Sequence, residues 1–261
     1  MQINEEQWAD FEENGYLRLG VVLDDQRLGE LQARIDEIML GRADLDYDSL
    51  LMQLDSLSGK YEDAGEQSNG WKGASLAYRK IQNLEIDRVF RGYLEDSIFR
   101  EICDHVYGPE TAIACFRAMF MNKPARQGTV LPMHQDAWNY LDRQPLLTVW
   151  TALDPATKAN GCVEVLPGTH RDGLINPVHT SGFLSPEQSQ DLLAKRNVEY
   201  LELEPGEAVL LHNWLVHGSD INHTDSPRRA FSVCYMDAET KSKNDEKFTN
   251  LFAPSEAPLP N

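Results

Sequence analysis

LLTVWTALDPATKANGCVEVLPGTH, residues 146–170, decides the fold class. Two short runs, LLTVWTAL and CVEVLP, are rich in β-branched and aromatic residues. Asp154-Pro155 and Asn160-Gly161 separate them, and Pro167-Gly168 follows. Such runs suit a pleated backbone and the Pro, Gly and Asn pairs punctuate it, so each run predicts a strand. The same texture extends outward. TAIACFRAMFMNK (111–123) lies upstream; EAVLLHNWLVHG (207–218) and RAFSVCYMD (229–237) lie downstream. Pro124, Pro205-Gly206 and Ser226-Pro227 mark their ends. One helix interrupts, with Ser185 as N-cap, Pro186 at the first helical position and EQSQDLLAKR after it. Many strands without alternating helices predict a sandwich or barrel rather than a parallel α/β sheet.

Before residue 111 the period is helical. Asn4 caps a segment that puts Trp8, Ala9 and Phe11 on one face and ends at Gly15. Asp24 or Asp25 caps DDQRLGELQARIDEIML, where Leu28, Leu31, Ile35 and Ile38/Met39 recur at helical spacing up to Gly41. Ile98, Phe99, Ile102 and Val106 repeat the pattern. Residues 42–75 are acidic, rich in Ser and Gly and weakly periodic, which predicts an irregular excursion serving as a lid. The expected organisation is a single domain over 1–261. It comprises a helical part at 1–110, a β core at 111–237 and a disordered tail at 252–261.

The 261 residues are 41% hydrophobic and 25% charged, as in ordinary globular proteins. With 24 Lys+Arg against 42 Asp+Glu, the formal net charge is −18, which repels polyphosphates and argues against nucleic acid as a partner. No run approaches the roughly 18 apolar residues of a membrane span, so no membrane partner is expected. The acidic start MQINEEQWADFEENG is unlike a secretory signal, so the expected compartment is the cytoplasm. The four cysteines form no CxxC pair and read as reduced, buried thiols. A monomer and a homodimer fit equally well.

The chemistry-bearing pattern is His134-Gln135-Asp136. On an extended chain, residues i and i+2 leave the same face, so imidazole and carboxylate can converge on one ion. An HxD pair alone arises often by chance. A third ligand is offered by His217 at the end of EAVLLHNWLVHGSD, where Gly218 can turn the chain. His212 competes, but an odd separation puts the two on opposite faces of a continuous strand. Two histidines and one carboxylate leave open positions suited to non-haem iron. The adjacent Arg228 and Arg229 must also face opposite ways. Small residues (Ala230, Ser232, Cys234) follow on the face of Arg228 and bulky ones (Phe231, Val233, Tyr235) on that of Arg229. Arg228 is therefore the pocket residue, placed for an anionic ligand.

Taken together, MNKPARQGTVLPMHQDAWNY, LTVWTALDPATKANGCVEVLPGTH and LHNWLVHGSDINHTDSPRRAFSVCY resemble the phytanoyl-CoA dioxygenase (PhyH) family of 2-oxoglutarate oxygenases. With RKIQNLE at 79–85, the resemblance spans about residues 75–237. It implies a double-stranded β-helix of the jelly-roll, cupin-like kind with flanking helices. It implies iron(II) on His134, Asp136 and His217, with 2-oxoglutarate and O2 as cosubstrates. Arg228 and Ser219 would hold the distal carboxylate, and Lys80, Met119 and Trp150 would line the same pocket. Gln135, Trp138 and Asn139 would touch the primary substrate. The implied reaction hydroxylates an unactivated C–H bond and releases succinate and CO2. Family halogenases lack the carboxylate ligand, so Asp136 implies hydroxylation. With no basic patch for coenzyme A phosphates, a small-molecule metabolite is expected in preference to an acyl-CoA. The rival classes are a non-catalytic metal-binding β-barrel and a zinc hydrolase on the same ligands.

Overall fold

The computed structural model describes residues 2–255 apart from residue 181. Five α-helices are present among them: α1 (Glu5–Asn14), α2 (Asp25–Met39), α3 (Arg88–Leu94), α4 (Ser97–Tyr107) and α5 (Pro186–Leu193). The strands begin with β1 (Tyr16–Val21), β2 (Leu51–Leu54), β3 (Ser68–Asn69), β4 (Tyr78–Gln82), β5 (Ile113–Lys123), β6 (Leu131–His134) and β7 (Leu147–Ala152). They continue with β8 (Val163–Val165), β9 (Glu199–Leu201), β10 (Glu207–His212), β11 (His217–Ser219), β12 (Arg228–Asp237) and β13 (Thr249–Phe252).

The strands form two antiparallel sheets. The larger runs β1-β10-β7-β12-β5-β4-β2-β3, with β13 also on β5; the smaller runs β6-β11-β8-β9. They face each other as a double-stranded β-helix, in agreement with the expected fold class. All six residues of β7 are buried because both faces of the large sheet are covered. On the outer face Phe11, Ile35, Phe90 and Phe99 from the helices pack on Val149, Phe231, Val233 and Tyr235. On the inner face Trp150, Val209, Leu211 and Ala230 meet Val163, Val165 and Leu201 of the small sheet.

Local signals set the helices. Asn4 accepts from the Gln7 N–H and the Gln7 side chain returns the bond, a reciprocal cap; Gly15 closes α1 at φ 81°. Asp24, Asp96 and Ser185 cap α2, α4 and α5. Ala9 is exposed, so only Phe11 and Trp8 carry the apolar face of α1.

The N-terminal 110 residues were expected to be helical, yet they also supply β1–β4 to the large sheet. The 42–75 excursion contains β2 and β3, and β2 pairs with β4 through Leu51↔Gln82 and Met52↔Ile81. Its strands are four and two residues long, too short for a period to declare itself. The expected disordered tail is ordered through residue 255. Phe252 lies in β13, and Ser255 Oγ bonds Asp104 Oδ2 at 2.9 Å and Arg100 Nη2 at 2.8 Å. Residues 256–261 lie outside the described residues. The four cysteines are free and buried. No described helix is long and apolar enough to cross a membrane.

Candidate metal centre

His134 closes β6 and His217 opens β11, and the two are register partners across that antiparallel pair. Asp136 follows in extended chain held by its N–H to Asn213 O at 2.7 Å. Ligand atoms of His134, Asp136 and His217 all lie within 4.8 Å of one another. The two imidazoles approach Asp136 through Nε2, at 4.0 Å from His134 and 3.9 Å from His217. Each Nδ1 is 2.9 Å from a backbone carbonyl, Pro132 O or Leu215 O, and must donate to it. That hydrogen bond places the lone pair on Nε2, aimed at the shared centre. Burial, and then neighbouring His217, push the His134 imidazole down to about 3, so it stands neutral. Donor set, tautomers and spacing fit a divalent transition metal on one face, with the opposite side open.

The strand containing His217 is not continuous. β10 ends at His212, a turn over residues 213–216 carries the chain from the large sheet to the small one, and β11 follows. Asn213 pins the turn: its Nδ2 donates to Pro145 O at 2.9 Å and its Oδ1 accepts from Thr148 Oγ1 at 2.7 Å. The parity argument against His212 therefore does not govern. His212 is excluded because its Nδ1 accepts the Trp214 N–H at 3.0 Å and its ring packs against His170.

An inner cavity extends from the three ligands between the sheets, and Lys80, Met119, Trp150, Ser219 and Arg228 all line it. Arg228 is 2% exposed, and its Nε and Nη1 have no hydrogen-bond partner. Its Cζ stands 5.4 Å over the Trp150 ring, whose own Nε1 is buried without a partner. Burial pushes the guanidinium down to about 10, leaving it charged at neutral pH. A buried unpaired cation costs several kcal/mol, so these donors fit a ligand carboxylate. Burial, Arg79 and Arg117 push Lys80 down to about 7. Arg229 has the opposite fate: Nε and Nη2 grip Asp154 at 2.8 Å each, and Nη1 reaches Asp36 at 2.7 Å. Small residues on one face and bulky ones on the other did separate the two arginines, since Ser232 and Cys234 line the cavity and Phe231, Val233 and Tyr235 fill the core.

Of the three residues expected at the primary substrate, the structure brings only Trp138 to the cavity wall. Gln135 is turned away. Its Nε2 donates to Gly173 O and Trp214 O at 2.8 and 2.7 Å, and its Oε1 accepts from Ile175 N at 2.7 Å. Alternation requires this, because its neighbours on either side face the metal. Asn139 is exposed and offers its carbonyl to Lys243 Nζ. Sequence reasoning missed Arg117, which shares the face of Met119 and Met121 on β5 and lines the cavity with them. The i, i+2 spacing from Met119 was the available signal.

The sequence model of the family described as phytanoyl-CoA dioxygenase (PhyH) matches residues 11–230. A Caenorhabditis elegans protein named "Probable phytanoyl-CoA dioxygenase" is 28% identical over 244 residues, covering 89% of this chain and 75% of its own. The human protein named "Phytanoyl-CoA dioxygenase, peroxisomal" is 27% identical over 244 residues, 90% of this chain and 68% of its own. In fold, the chain is similar to EctD from S. alaskensis with bound Fe. The TM-score is 0.70 at 20% identity, over 94% of this chain and 79% of that one. A structure of EctD with 2-oxoglutarate and 5-hydroxyectoine gives 0.69 at 20% identity, over 99% and 82%.

Proposed function

Because this chain belongs to the phytanoyl-CoA dioxygenase family, we propose that it is an iron(II)- and 2-oxoglutarate-dependent dioxygenase that hydroxylates a small-molecule metabolite. The observation that carries the reading is the pairing of an ordered His134–Asp136–His217 ligand set with the orphaned guanidinium of Arg228 in one cavity. EctD, which shares the fold, is seen with Fe and with 2-oxoglutarate.

His134, Asp136 and His217 would hold the metal through two Nε2 atoms and a carboxylate oxygen. Arg228 would take the far carboxylate of 2-oxoglutarate, with Ser219 Oγ, Trp150 Nε1 and Lys80 Nζ as further donors. Iron(II) chelated by 2-oxoglutarate would supply activation of O2 for attack on an unactivated C–H bond, the cosubstrate leaving as succinate and CO2. The side chains contribute orientation and dryness: Met119, Met121, Leu131, Val163 and Leu211 wall the cavity with apolar surface. Asp136 occupies the position whose absence distinguishes the family's halogenases, which supports hydroxylation. The curated relatives' names keep an acyl-CoA substrate as the second reading. A zinc hydrolase or a non-catalytic barrel would have no use for a buried unpaired arginine.

The test is a visible spectrum recorded under nitrogen as iron(II) and then 2-oxoglutarate are added to metal-free protein. A weak charge-transfer band that requires both is the expected result. No band, and no rise in thermal stability with 2-oxoglutarate, would overturn the oxygenase reading.

A further inference from the structure

We propose that the primary substrate carries an anionic group, a carboxylate or a phosphate, and that Arg117 binds it; this rests on the oxygenase reading above. Outside the metal ligands a second cavity of about 310 Å³ opens, and His134 and Asp136 form part of its wall. Its walls are rich in hydrogen-bond donors: Arg117, Lys80, Gln82, Tyr61, Tyr140 and Gln67, whose Nε2 is buried with no partner. The carboxylate on this wall is Asp136, which the metal claims.

Arg117 is built into place. β5 and β12 pair in register as far as Arg117↔Cys234, and the next pair is Cys115↔Tyr235, so Phe116 is the extra residue of a bulge. A bulge turns its side chain onto the face of its neighbour. Phe116 accordingly leaves the core side and packs with Trp138, ring centroids 4.5 Å apart. The Arg117 guanidinium lies over both rings, 4.9 Å from each centroid. The two rings, inclined at 64° to each other, hold the guanidinium in position, and Tyr140 accepts a hydrogen bond from it, which leaves its remaining donors for an oxyanion.

Among the described residues Arg117 has no carboxylate within 4.0 Å, whereas Arg34, Arg100 and Arg229 are each paired with at least one. Glu85 and Glu246 border an adjoining cavity that Arg117 also touches, but neither reaches ion-pair distance. Lys80 stands on the same wall and its ammonium is pushed down in part by Arg117. In a chain of net charge −18, a wall that carries Arg117 and, apart from Asp136, no carboxylate suits a negative guest. Arg117 is thus a specificity-determining residue.

The experiment is calorimetry on protein loaded with iron(II) and saturating 2-oxoglutarate under nitrogen. The probes are benzoate and phenyl phosphate, with benzamide and benzyl alcohol as neutral counterparts. One acid should bind about tenfold or more tightly than its neutral counterpart. Arg117→Gln should erase that preference and Arg117→Lys restore part of it, which a purely structural stacking role would not do. Whichever acid wins names the carboxylate or the phosphate. Equal binding of acids and neutral counterparts, a preference that survives in Arg117→Gln, or no binding by any probe overturns the assignment. The iron–2-oxoglutarate band is read on the same sample. Its absence fails the oxygenase reading, while its presence without an anion preference fails this inference alone.

Discussion

His134 and His217 face each other in register across β6 and β11, and each donates its Nδ1–H to the carbonyl two residues before it, Pro132 O and Leu215 O. The backbone therefore sets both tautomers. The two rings sit with centroids 4.1 Å apart, and their Nε2 atoms approach the two oxygens of one carboxylate, Asp136.

This pairing depends on Gly218. A Cβ there would stand 2.8 Å from Leu131 O and 3.3 Å from Met133 Sδ, both on β6. Gly218→Ala should push β6 from β11, part the two imidazoles and weaken iron(II) binding about 10–100-fold, as loss of ligand positioning does elsewhere. Iron titration of the variant checks this, and an unchanged affinity would show that β6 yields without moving His134.

Arg228 and Arg229 adjoin in sequence and should respond oppositely. Arg228→Met removes a buried unpaired charge, so ligand-free stability should hold or rise, by up to about 4 kcal/mol, while stabilisation by 2-oxoglutarate disappears. Arg229→Ala strands Asp154 and releases Asp36, and should cost about 3 kcal/mol, the partial exposure of Asp36 holding the loss to the low end. Denaturant melts with and without 2-oxoglutarate distinguish the two. A loss of ligand-free stability in Arg228→Met would contradict its unpaired state.

Trp150 Nε1 tests the cosubstrate pocket by one atom. Trp150→Phe keeps an aromatic surface under Arg228 but deletes a buried N–H without a partner. Affinity for 2-oxoglutarate should fall about tenfold, the worth of one hydrogen bond to a charged group, with ligand-free stability little changed. Direct binding measurements check it, and undiminished affinity would remove Trp150 from the pocket.

Acid should weaken the fold through His212. Burial, and then His170, push its imidazole down to about 4, so the folded chain holds it neutral while an unfolded chain protonates it near 6.5. Its contribution is complete above pH 6.5 and is lost as pH falls from there through about 4, up to about 3 kcal/mol in all. His212→Asn, whose carbonyl can still accept the Trp214 N–H, should flatten the stability–pH curve of the metal-free protein over that window. An equal slope in the variant would place the titrating group elsewhere.

What the chain determined locally was open to reading: the reciprocal cap at Asn4, the cap and Pro186 start of α5, the apolar runs of β7 and β12, and the opposite faces of Arg228 and Arg229. Capping and strand alternation act over a few residues, so they leave their mark in neighbouring letters. The HxD pair and its distant histidine were legible too, once three segments in order resembled one family. The joining of β2 and β3 to the large sheet, the crossing between sheets after His212, and the distant backbone partners that hold Gln135 were not. Arg117 was legible only in part: alternation from Met119 points it at the cavity, but the bulge that brings the Phe116 ring beside it exists only when β5 meets β12. Each of these is settled by which distant strand supplies the missing hydrogen bonds, and that choice belongs to the assembled sheets rather than to any stretch of chain.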